Sequence, residues 1–182
     1  SLMALWQKSG IADGKRLGAF NYDPLAGLAA TGALYHPLDR ALGVAADLVL
    51  TTQSMPGVTA LAASGSVWHA AGATEAQELA AVLASVVAYM RAAEKAGIGP
   101  AEALPKIAVT LAIDADQFMG LAKLRAVRRL LWRVAEACGA GEAATGIALG
   151  AETSRRMMTR RDPWVNMLRT TMACAAAAMG GA

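Results

Sequence analysis

Aromatic side chains are scarce in this chain, making up 5% of its 182 residues, while apolar residues reach 55%. Alanine supplies much of that apolar share, so small side chains must do much of the packing. Charged residues are only 17%, which argues against disorder, a state that needs low hydrophobicity and high charge. Two cysteines, Cys138 and Cys174, share no C-x-x-C spacing and are accompanied by two histidines. No structural zinc site is expected, and the thiols read as free and buried. No apolar run reaches the roughly 18 to 20 residues that span a bilayer; the nearest, "MACAAAAMGGA", ends in glycines. No charged leader with an apolar core and cleavage site is visible, so the expectation is a cytoplasmic protein without membrane association. The net charge is +3, with basic clusters at Lys123–Arg133 and Ser154–Trp164. Neither cluster interleaves stacking aromatics in the manner of a nucleic-acid module, so no nucleic-acid partner is expected. The first reads as the solvated side of an amphipathic helix.

Four short, nearly continuous apolar runs punctuate the chain: 16–22, 57–65, 106–114 and 145–153. Continuous apolar character over so few residues is the pattern of a parallel strand buried on both faces. Helical patterns lie between them. Thr74 and Gln77 form a T-x-x-Q capping box, followed by a stripe of Leu79, Leu83, Val86 and Met90, and Gly97 supplies the stop. A second helix over Gln117–Cys138 carries Leu121, Leu124, Val127, Leu131 and Val134, with Gly139 as its stop. A last helix opens at Asp162-Pro163 and carries Trp164, Leu168, Met172, Ala175 and Met179 on one side. The first connection contains Pro24 and Pro37, which implies more than one helix there. Alternating strands and helices point to an α/β fold with a parallel sheet, and no G-x-G-x-x-G follows any strand. Four β/α units fill the chain, about half of what an eight-stranded barrel needs.

Three stretches carry a resemblance to a known family. "SGSVWHAAGATEAQELAAVLASVVAYMRAAEKAGI", "FMGLAKLRAVRRLLWRV" and "RMMTRRDPWVNMLRTTMACAAAAMGGA" together resemble methylmalonyl-CoA mutases. The most specific pieces are A-G-A at 71–73, the A-K-L-R-A-x-R-x-L-x-W pattern from Ala122, and D-P-W-x-N-x-L-R-T at 162–170. The resemblance runs from about Leu17 to Ala182 and implies the second half of a TIM barrel that threads an acyl-CoA along its axis. It further implies that residues 1–182 are a partial barrel. The first half of the barrel and a cobalamin-binding domain would lie outside this chain. Adenosylcobalamin bound by that domain would carry the radical rearrangement of methylmalonyl-CoA to succinyl-CoA.

The residues that the family uses on its substrate differ here. Catalytic members have S-G-Y-H, whose histidine contacts the thioester carbonyl. Anchored on the A-G-A that follows, the motif falls on Ser64-Gly65-Ser66-Val67, so the tyrosine position is Ser66 and the histidine position Val67. Valine offers no hydrogen bond to a developing oxyanion. His69 comes two residues late and reads as a polar residue at the rim. The family's arginine and serine at the third strand become Lys106 and Ala108. Lysine keeps the charge but loses the bidentate fork. A Q-N-D motif at the first strand becomes Asn21-Tyr22-Asp23, an arginine falls on Thr31, and the glutamine of Q-T-S-G-W becomes Glu152.

Loss of polar groups at so many positions, with core and caps kept, reads as a scaffold whose substrate site was dismantled. The resemblance therefore implies the barrel of the small, non-catalytic subunit, whose partner is a homologous catalytic large subunit. Two other readings stand beside it: an active mutase with a shifted site built from His69, Lys106 and Glu152, and a free-standing α/β binding module. Half a barrel would also leave open sheet edges and apolar faces, so self-association is expected.

Overall fold

The computed structural model describes residues 2–182. Strands β1 (Gly18–Tyr22), β2 (Val58–Ser64), β3 (Ile107–Ile113) and β4 (Leu149–Thr153) form one parallel sheet in the order β1-β2-β3-β4. Each lies inside its expected apolar run; the last run loses its opening residues to a 3-10 turn at Gly141–Gly146. A sheet whose strands follow chain order, joined by right-handed crossovers, carries its helices on one face. A doubly wound sheet reverses direction instead. The fold is therefore α/β with helices flanking a parallel sheet, consistent with half of a (β/α) barrel.

A short helix α1 (Leu2–Lys8), for which the sequence pattern held no signal, precedes β1. Its Trp6 stands edge-on to Phe20 and lies beneath the Arg16 guanidinium. The first long connection holds two helices, α2 (Pro24–Thr31) and α3 (Leu38–Thr52), as its prolines imply. After β2 come a one-turn helix α4 (Ser66–Ala70) and the long α5 (Glu75–Lys95). Both bonds of the capping box form, and Gly97 takes φ +81° just past the helix end. The short α6 (Pro100–Ala103) leads into β3, and α7 (Gln117–Ala137) follows it, its first turn capped by the Asp116 side chain. The expected stripe of α7 holds at its centre, with Leu124, Val127 and Leu131 buried.

The core lies between the sheet and these helices. Ile107, Val109, Leu111 and Ile113 project alternately from β3 onto the same side and meet Val82, Val86, Leu124 and Val127. Three expectations about packing are corrected here. Helix α8 begins at Val165, later than Asp162-Pro163, and has no side-chain cap bond at Trp164. It packs through Ala173, Ala176 and Gly180, whereas Trp164, Leu168, Met172 and Met179 face outward. The reason is close approach: a Cβ at Gly180 would lie 2.6 Å from Leu124 Cδ1, so only the small-residue face fits against α7. Cys138 and Cys174 are exposed, Cys138 because it is the residue at the end of α7 and Cys174 because it lies beside the small face and outside it. Lys123, read as part of a solvated face, is buried.

Asp23, just beyond β1, joins four segments. Its Oδ1 accepts the Ala26 N–H at 2.9 Å, capping α2, and the Tyr89 O–H at 2.5 Å, while its Oδ2 accepts the Ser64 N–H at 2.8 Å. Burial, and then the Asp23 carboxylate beside it, hold the Tyr89 phenol above its ordinary range. A raised value means that folding favours the neutral phenol. Its contribution is complete below about pH 10, the unfolded value, and falls away as pH rises beyond it. Tyr89→Phe is expected to cost about 1–3 kcal/mol at neutral pH and to remove that alkaline loss. Urea unfolding of both proteins at neutral pH and above pH 10 measures the difference; parallel pH curves would contradict it.

Candidate functional site at the C-terminal ends of the strands

In parallel β/α folds the C-terminal strand ends carry the ligand site. Here β2 ends at Ser64, the Gly65 N–H donates to Thr110 O at 2.7 Å, and the chain turns at once into α4. Glycine is required at 65, because a Cβ there would lie 2.4 Å from Glu78 Oε1. Glu78, from the first turn of α5, is fully buried at 0% exposure. Its Oε1 accepts the Ala112 N–H at 2.8 Å, and its Oε2 takes the Lys123 ammonium at 2.7 Å. The carboxylate thus meets a strand, a helix and the turn after β2 at once.

His69 is not at the rim. It is 3% exposed, with Nε2 2.8 Å from Ser154 Oγ and Nδ1 3.5 Å from Glu78 Oε2. The reason is the pair of side chains that enclose the ring, Ser154 at Nε2 and Glu78 at Nδ1; as i and i+3 on one helical face, Ser66 and His69 both border the cleft. Ser66 and Val67 stay half-buried and line the cleft. That cleft, of about 330 Å³, is lined by Ser66, Val67, Ala112, Glu152 and Arg155 among others. Ser66 Oγ shares a hydrogen bond with Ser64 Oγ at 2.9 Å, and Glu152 faces Arg155 at 3.6 Å.

Ser154, His69 and Glu78 follow the order of a nucleophilic triad. Their environment assigns them a structural role. Ser154 is 1% exposed, and the Glu78 carboxylate is already engaged by Lys123 and the Ala112 N–H. Val67 offers no donor at all, and the His69 imidazole, which borders the cleft, is 3% exposed with Nε2 engaged by Ser154.

The other sequence-derived positions scatter. Lys106 is buried at the opposite end of the sheet, where its ammonium donates to Met55 O at 2.6 Å and Val58 O at 3.3 Å, and burial pushes its pKa down. Asn21 lies by β1 with φ +50°, a left-handed conformation that asparagine tolerates, and lines a different pocket with Tyr35 and His36. Thr31 closes α2 by donating to Gly27 O. The structure therefore brings together Ser66, Val67, His69 and Glu152 around one cleft, and leaves Asn21 and Lys106 apart. A shifted site of His69, Lys106 and Glu152 is not assembled. Glu78, Lys123, Ser154 and Arg156 were missed; the available signal was a charge at Glu78, one turn before Val82 on the buried side of α5.

Ala108 belongs to a third feature. The register pairs Ala62 with Ala108, Ser64 with Thr110 and Gly150, and Ala112 with Glu152 across the sheet face away from the helices. Barrels of this kind usually fill that face with bulky branched residues. Alanine, serine, threonine and glycine leave space along it instead. Among the described residues no cluster of three or more His, Cys, Asp or Glu could hold a metal ion, and no helix is long and apolar enough to cross a membrane.

A sequentially ordered parallel sheet, small residues on its open face and a cleft at its strand ends define a β/α-barrel type of fold. The family model described as methylmalonyl-CoA mutase matches residues 1–182, and the chain belongs to that family. A protein of Streptomyces virginiae described as a methylmalonyl-CoA mutase small subunit is 44% identical over 182 residues, all of this chain and 29% of that protein. A probable small subunit of Mycobacterium bovis is 49% identical over 126 residues, 69% of this chain and 20% of its own length. The Porphyromonas gingivalis large subunit is 29% identical over 185 residues, 98% of this chain and 26% of its own. The chain thus spans well under a third of the length of these relatives.

The buried pair makes a direct prediction. Lys123→Met leaves Glu78 charged and uncompensated, and is expected to cost about 3–5 kcal/mol, while Glu78→Gln with Lys123→Met costs less than the single change. Denaturant unfolding of the three proteins measures this; a single-variant cost below about 1 kcal/mol would contradict it.

Proposed function

We propose that this chain is part of the substrate barrel of a methylmalonyl-CoA mutase small subunit, which supports a homologous catalytic large subunit and does no chemistry at its own strand ends. Val67 carries the proposal. It stands in the cleft where the family's catalytic members hold a histidine, and the chain's own imidazole, at the border of the same cleft, is buried and engaged by Ser154. The small-residue face of the sheet supports an acyl-CoA lying along the barrel axis, a property kept from the family even where the reacting end has lost its donors. The names of the relatives support the small-subunit reading over the large one.

When bound, adenosylcobalamin supplies the radical chemistry of this family. The residues of this chain do not fit a role in holding it: His69 is enclosed, and Glu152 is paired with Arg155. A cofactor-binding domain elsewhere in the polypeptide, and a cytoplasmic location, belong to the same proposal.

Capture of the native protein from its own cells, followed by native mass spectrometry, tests the reading. A one-to-one complex with a larger mutase chain is expected; a homo-oligomer that turns over methylmalonyl-CoA would overturn it. The isolated chain is also expected to self-associate. Strands β1 and β4 each have one described neighbour, and Trp164 and Leu168 are 76% and 70% exposed. Light scattering should show mass rising with concentration, and a monomer at every concentration would refute this.

A further inference from the structure

We propose that His69 is a positioning residue that latches the loop after β2 to the loop after β4, so that the two sides of the cleft rim move as one body without any ligand. Two tethers cross the rim. His69 Nε2 meets Ser154 Oγ at 2.8 Å, and Arg156 Nη1 returns from the other side to donate to His69 O at 3.1 Å and Ala73 O at 3.2 Å. Side chain and backbone of one residue are therefore both held by the loop after β4. That loop is itself fixed to the sheet, since the Ser154 N–H donates to Ile113 O at 2.8 Å.

The proton arrangement follows from the surroundings. His69 Nδ1 is buried, has no hydrogen-bond partner among the described residues, and faces the Glu78 carboxylate at 3.5 Å. A lone pair on Nδ1 would be repelled by that carboxylate, whereas an N–H is attracted. Nδ1 therefore carries the proton, and Nε2 accepts the Ser154 O–H. The charges facing this imidazole are Glu78 and, through it, Lys123, with the Arg156 guanidinium on the backbone side.

The latch has a consequence for the cleft. Val67 lies on the same helical turn as His69, and Glu152 and Arg155 flank Ser154, so the latch sets the distance between the two cleft walls. Such a rim is preorganised. It differs from a lid that closes on its ligand. This inference concerns the chain alone and holds or fails independently of the subunit reading.

Amide hydrogen exchange on the chain tests it, using His69→Ala, Ser154→Ala, their combination and His69→Gln. Ser154→Ala, which removes a single oxygen atom, is expected to raise exchange about tenfold in both 67–73 and 155–158, the size that follows from losing one buried hydrogen bond. The double variant should be no faster than the single ones, because both remove the same bond. Glutamine keeps a polar group near the position of Nε2, so His69→Gln should restore protection in both segments. Exchange that rises only in the segment carrying the substitution, or effects that add in the double variant, would overturn the latch.

Discussion

The Glu78–Lys123 ion pair is the constraint on which the strand-end region depends. A carboxylate at 0% exposure is costly to desolvate and persists only where its oxygens are fully engaged. Here Lys123 from α7 and the Ala112 N–H from β3 engage it, and Gly65 gives it room. One side chain of α5 therefore fixes the spacing between two helices, the end of a strand and the turn that begins α4. The path of α4 in turn sets Val67 and His69 beside the cleft, with the His69 ring nitrogens turned to Ser154 and Glu78. A buried pair of this kind adds little net stability compared with apolar packing, but it tolerates few alternative arrangements. That is the property a strand-end site needs.

The sheet presents two faces with opposite chemistry. Toward the helices it is branched and dry, with Ile107, Val109, Leu111 and Ile113 in close contact with α5 and α7. Away from them it is built of Ala62, Ala108, Thr110, Ala112 and Gly150. The same economy appears in α8, which approaches α7 through Ala173, Ala176 and Gly180. Scarcity of aromatics is thus a structural choice with two results: close helix packing on one side and unfilled space on the other. The open face thus carries short side chains, and Val67 at its strand end carries no hydrogen-bonding group.

The strands were legible because parallel strands buried by helices read as short apolar runs, and all four fall within the runs marked from residue pattern alone. The capping box of α5 and the stops at Gly97 and Gly139 were legible for the same reason: each is a local rule set within a few residues. What was not legible depends on contacts distant in sequence. His69 and Ser154 lie 85 residues apart, and nothing near either one marks the pairing. The packing face of α8 is not legible in its pattern of large side chains, because Gly180 against Leu124 leaves no room for them. Lys106 was placed by its position after Pro105, but the side chain turns to the carbonyls of Met55 and Val58. Motif positions identify where a residue stands along a strand, and packing decides which way it faces.

The central claim is that the strand-end cleft binds without activating. Infrared spectroscopy of a carbonyl-labelled acyl-CoA bound to the purified protein tests it most directly, because a hydrogen bond to the thioester oxygen lowers its stretching frequency. With Val67 in place of an imidazole, the frequency of the bound thioester should match that of the same thioester in an apolar solvent, and Val67→His should shift it downward. A strongly lowered frequency in the unaltered protein would mean that another group polarises the carbonyl and that the cleft is catalytically equipped.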